Sequence, residues 1–107
     1  MAYDPETAER VRRYLAGRDD VVEKRMVGGG LSFLVGGRMC CGVAGTRLML
    51  RLGADCAGPA LAEPHVRPME LGGQQLAAFV LVDPPGYADD AALAAWIDRA
   101  LSFLAAS

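Results

Sequence analysis

Histidine is nearly missing from this 107-residue chain, where His65 stands alone, so a thiol nucleophile has one imidazole to serve as its base. Positive charge is not in excess either. Eleven basic against thirteen acidic residues leave a formal −2, which argues against a nucleic-acid backbone as the main partner. No apolar run approaches the ~20 residues a bilayer span requires, and no membrane partner is expected. The opening Met1-Ala2-Tyr3-Asp4-Pro5-Glu6 is polar and acidic, unlike a secretory signal, so a cytoplasmic location is expected. Cysteines number only three, and adjacent Cys40 and Cys41 lack the spacing of a disulfide framework, so the thiols are expected to be reduced. Repeats and low-complexity segments are absent.

Apolar residues, by contrast, make up 52% of the chain, which places it among globular domains. At this length residues 1–107 form one domain. Area scaling predicts a folded surface near ~5,700 Å², about 65% of the chain's area being buried, enough to fold without staples.

Asp4-Pro5-Glu6 marks a helix start, with Asp4 as N-cap and Pro5 where a missing N–H costs nothing. Ala8, Val11 and Leu15 make its apolar stripe, and Gly17 offers a stop, which predicts a helix over 5–16. From Val21 the apolar period becomes two, punctuated by Gly28-Gly29-Gly30, Gly36-Gly37 and Gly45-Thr46. Four antiparallel strands are predicted at 22–27, 31–35, 38–44 and 47–52. Residues 53–68 hold three prolines and read as a connection with one helical turn near 59–62. A further hairpin follows, 69–71 with 76–82, then a stop at Asp83-Pro84-Pro85-Gly86. Asp89 or Asp90 then caps a second long helix carrying Leu93, Trp96, Ile97, Ala100 and Leu104. The predicted class is α+β: an antiparallel sheet, made of a four-stranded meander plus a further hairpin, with N- and C-terminal helices packed on one face.

Two-residue turns at Gly45-Thr46 and Gly36-Gly37 set a register. The first opposes Val43 to Leu48, Cys41 to Leu50 and Met39 to Leu52 on one apolar face; the second adds Leu34 beside Met39. Leu31, Phe33 and Val35 then turn to the opposite face with Cys40 and Met49. Helices on one side leave those five uncovered, so they are the expected surface for a protein partner or a second copy, a homodimer being favoured.

Little else in the chain suggests chemistry. The triple glycine leads into a strand, with no Gly-Lys-Ser/Thr ending, so it reads as a hairpin turn and not a phosphate cradle. Cys40, Cys41, Cys56 and His65 lack metal-ligand spacing, and neighbouring strand residues point to opposite faces, so no metal or other cofactor is expected. Cys40, with Arg51 across the strand, is the candidate for a reactive thiol or redox sensor, against the ordinary reading of a buried structural cysteine. Arg10, Arg12, Arg13, Arg18, Lys24 and Arg25 concentrate positive charge early in the chain, a candidate nucleic-acid contact. Interleaved Glu6, Glu9, Asp19, Asp20 and Glu23 favour a solvated, ion-paired face instead. Asp89 and Asp90 read as helix-start residues, and Trp96 as a core anchor.

The segments 21–35 (VVEKRMVGGGLSFLV) and 37–43 (GRMCCGV) resemble the N-terminal domain of the TfoX/Sxy family, named for regulators of bacterial natural competence. So do 47–53 (RLMLRLG), 62–64 (AEP), 67–70 (RPME), 79–84 (FVLVDP) and 93–101 (LAAWIDRAL), so that the likeness spans nearly the whole chain. Val27 stands where an aromatic is common, Gly58-Pro59 interrupts a helix, and His65 replaces a small turn residue. The resemblance implies an α+β domain without catalytic residues, hence a non-enzymatic regulatory or protein-interaction module linked to transcriptional regulation or competence.

Overall fold

Proline at the first helical position and an extended Asp4 start α1 (Pro5–Tyr14) where the sequence marks it. The computed structural model describes residues 3–26 and 28–106. The Thr7 hydroxyl donates to Asp4 Oδ2 at 2.7 Å, and Ala8, Val11 and Leu15 are buried. Then come β1 (Val21–Arg25), β2 (Leu31–Val35), β3 (Arg38–Ala44) and β4 (Arg47–Arg51), α2 (Ala54–Ala60), β5 (Val66–Leu71), β6 (Gln74–Val82), a 3₁₀ turn (Pro84–Tyr87) and α3 (Asp90–Ala106). Val27, expected to end the first strand, lies outside the described residues.

The meander and the later hairpin join through β4 and β6 into one six-stranded antiparallel sheet, ordered β1-β2-β3-β4-β6-β5. Two corrections concern the 53–68 connection. Helix α2 is longer and begins earlier than the single turn expected at 59–62, and Pro59 sits inside it. In so short a helix the lost N–H matters little, because its partner would be the carbonyl of exposed Asp55. Strand β5 begins at Val66, so Pro68 lies within a strand, opposite Val80. β5 is an edge strand, and there a proline costs no ladder bond that the sheet needs. His65, just before it, holds a positive φ of 67°.

All three helices contribute their buried side chains to a single core with Leu48, Leu50, Leu52, Val80 and Val82. Asp89 is the N-cap of α3, its Oδ1 accepting from the Ala92 N–H at 2.7 Å. Trp96 and Ile97 are buried, and Trp96 donates its indole N–H to the Gly86 carbonyl. Tyr87 ties the layers together at the β3–β4 turn, its hydroxyl 2.5 Å from the Thr46 carbonyl and 3.2 Å from Thr7 Oγ1. The accessible surface is 5802 Å², close to the size-based expectation.

Register decides which residues enter that core. Both turns close as expected: Gly36 and Gly37 take φ of 61° and 83°, which only glycine adopts without strain, and Leu34 meets Met39 while Val43 meets Leu48. Between the turns, however, the β2–β3 pairing slips by one residue. Phe33 lies opposite Cys41, Ser32 opposite Gly42 and Leu31 opposite Val43, with Cys40 the extra residue. This β-bulge reverses the parity of β2 relative to its turn-based register. Leu31, Phe33 and Val35 therefore face the helices, and Leu34 and Met39 turn away.

Candidate functional site

The surface expected from Leu31, Phe33, Val35, Cys40 and Met49 does not exist. Phe33, Cys40 and Met49 are 0% exposed, Leu31 and Val35 5–6%, all within one protomer. The bulge carries Leu31, Phe33, Val35 and Cys40 into the helix-covered core. Met49 does point to the other face, but its methyl lies over Gly42, where an added Cβ would sit 2.8 Å from it and 2.5 Å from the Leu31 carbonyl. Gly42 is thus required by close approach, and Met49 is sealed without any helix above it.

A different apolar face is present. Counting alternation outward from the paired residues, the side away from the core carries Val22, Leu34, Met39, Met49, Phe79 and Leu81. Val22 is 59% exposed, and Leu34, Met39, Phe79 and Leu81 are half-buried. The buried apolar residues of α1, α2, α3 and the 3₁₀ turn all belong to the cluster on the opposite side, so no described helix packs its apolar stripe on this face, and Phe103 of α3 reaches it at Arg51. Lys24, Arg47, Arg51 and Arg67 share it by the same parity, and Asp83 follows β6 on the same side. Asp83 takes both Arg67 (2.7 Å) and Arg47 (2.8 Å), and these two guanidiniums, Arg67 first, draw its carboxyl down to about 2. Asp83 thus engages two of the four cations, and Lys24 and Arg51 make no ion pair among the described residues.

The early basic residues do not gather into a patch. Arg10 clamps α1 to the start of α3, donating to the Tyr87 and Ala88 carbonyls and to Asp90. Arg12 is held by Glu23 and Glu9, and Arg18 by Asp20. Glu23 and then Glu9 raise Arg12 still further, and Arg12 in turn draws Glu23 down. Lys24 and Arg25 point to opposite faces of β1, and Arg13 is exposed on α1.

The cysteines separate. Cys56 is exposed on α2, and Cys40 and Cys41 are buried. Here too the bulge overturns an expectation, because it brings the two adjacent thiols to one side of the sheet. Cys41 donates to Cys40, which lowers the Cys40 thiol, with help from the Arg18 charge, and pushes the Cys41 thiol well up. His65 lies elsewhere, and no group of three His, Cys, Asp or Glu residues among those described is placed to hold a metal. A groove of about 690 Å³ runs between the end of α3 and the β2–β3 turn, but its charges are engaged. Arg18 holds Asp20, Arg38 donates to the Leu104 carbonyl, and Asp98 accepts from Tyr14.

The TfoX N-terminal domain family model matches residues 13–104. The chain belongs to that family. No curated protein and no solved structure matches it. In this TfoX N-terminal domain no described helix is long and apolar enough to cross a membrane. The residues that sequence reasoning missed are Val22, Leu34, Met39, Phe79 and Leu81, together with the unpaired role of Arg51. A signal for the first group was available. Leu31, Phe33 and Val35 are the most apolar alternating set in β2, and placing them inside leaves polar Ser32 on the outer parity. Turn geometry alone pointed the other way, and only a bulge reconciles the two.

Proposed function

We propose that this TfoX N-terminal domain is a non-enzymatic, cytoplasmic interaction module of regulatory kind, and that its helix-free sheet face binds an acidic, apolar segment of another protein. The observation that carries this is the face itself: accessible apolar side chains from four strands left without a covering element, among cations that outnumber their acid. Exposed apolar area of this kind marks a contact surface, and its charge selects the occupant. A second copy of the chain would set like cations against each other, so a different, acidic protein fits better than a homodimer. Nucleic acid fits less well, because the face is mainly aliphatic and two of its cations are already engaged by Asp83. A link to transcriptional regulation or competence rests on the family's name and belongs to this proposal.

The test places a photo-crosslinking phenylalanine at Val22, and at exposed Ala95 on α3 as control, in the full chain expressed in its native cells. Position 22 is expected to yield an adduct with another protein whose crosslinked peptide, sequenced by mass spectrometry, is acidic and apolar. The adduct should disappear with Leu81→Glu in a variant that melts like the parent. No adduct at position 22, adducts only with the same chain or with nucleic acid, or equal capture at position 95 would each refute the assignment.

A further inference from the structure

We infer that Arg51 is the anchor at which this face receives a single carboxylate, an assignment that rests on the interaction reading above. Arg51 closes β4 opposite Phe79, and its guanidinium lies near two rings, 6.0 Å from the Phe79 centroid and 5.5 Å from that of Phe103. Phe103 reaches this point from α3 by passing over Gly53, where an added Cβ would meet its ring at 2.5 Å. Six other arginines, at positions 10, 12, 18, 47, 67 and 99, are paired with carboxylates. Arg51 is not, and its Nε is buried with no hydrogen-bond partner, alone in this among the described side chains.

For the free protein this is an unfavourable arrangement. An unmade buried N–H is a cost that a methionine of similar length, packed against the same rings, would not carry. What arginine adds is at its outer end. The two rings lie within 6.0 Å of the guanidinium carbon and limit its freedom, and Arg51 is half-buried, not sealed. A carboxylate meeting the remaining edge would form charge-assisted hydrogen bonds with little ordering left to lose. The class of ligand follows from the charge count. Lys24, the other uncompensated cation on this face, is on β1, three strands away or about 14 Å at sheet spacing. One isolated cation beside Phe79 and Leu81 suits an aspartate or glutamate side chain flanked by apolar residues, and not a run of phosphates.

The probe is hexanoate, a carboxylate on an apolar tail, titrated into the full chain while the Arg51 side-chain N–H and the Phe79 and Gly53 amides are followed by NMR. Saturable shifts are expected with hexanoate, about fivefold weaker binding with neutral hexanamide, and none in Arg51→Met. Arg51→Met should also melt at or above the parent's temperature, which a structural arginine would not permit. Absent saturation, equal hexanamide binding, inorganic phosphate binding as well as hexanoate, or an Arg51→Met variant that melts well below the parent would each overturn the assignment. If hexanoate fails while crosslinking at position 22 succeeds, only the Arg51 anchor falls. If hexanoate binds while position 22 captures nothing, the docking role is lost for both.

Discussion

Replacing Phe33 by alanine, beside the same change at neighbouring Leu34, tests the slipped β2–β3 register on which the assignment of faces depends. Phe33 is fully buried in the helix-covered core, and removing such a ring costs about 3–5 kcal/mol through lost transfer energy and the cavity left behind. An unfolding entropy of ~2.1 cal/mol/K per residue makes each kcal/mol worth roughly 4.5 °C in a chain of this length, so Phe33→Ala should melt ~13–22 °C lower. Leu34 is half-buried on the open face, and its truncation should cost about 1 kcal/mol, or ~4 °C. Scanning calorimetry with urea titration measures both, and sedimentation confirms that the oligomeric state of the Leu34 variant is unchanged. Comparable losses at the two positions, or a larger one at Leu34, would refute the bulge. For the same reason Phe33→Asp is expected to prevent folding and not to split an oligomer.

Asp83 supplies a pH signature. Its carboxyl is drawn from the ordinary 3.8 to about 2 in the folded state, chiefly by Arg67 and then Arg47, so the stabilisation is present above pH ~4 and is lost as pH falls toward 2. The difference in urea midpoint between parent and Asp83→Asn should therefore shrink over that window; a difference that stays constant would count against the ion pair. Iodoacetamide should label Cys56 alone in the native protein, and Cys40 and Cys41 only after denaturation, as read by intact mass. Native labelling of Cys40 as fast as Cys56 would place it outside the core despite its lowered pKa.

Most of the element plan was legible because it rests on local chemistry. Asp4-Pro5, the paired glycines at 36–37 and Asp89 act within a few residues of themselves: the first starts α1, the second closes its turn and the third caps α3, as the sequence suggests. The edge strand β5 was not, since Pro68 reads as a breaker until its edge position in the sheet is known. The site was read less well. Leu34 and Met39 were correctly paired with each other but put on the wrong face, and the cluster of early arginines dispersed because Glu9, Asp20, Glu23 and Asp90 each claim one.

By itself the sequence determined an α+β domain of the TfoX N-terminal family, its turns, its helix starts and the apolar alternation of its strands, all consequences of short-range backbone preference and period. Which side of the sheet each alternating residue occupies was decided only in three dimensions. A single extra residue at Cys40 is invisible to periodicity, yet it inverts one strand's faces because the pleat repeats every two residues. Whether Arg51 meets a carboxylate or two aromatic rings likewise depends on Phe79 and Phe103, which are 28 and 52 positions away in the chain and are brought to it only by β6 and α3.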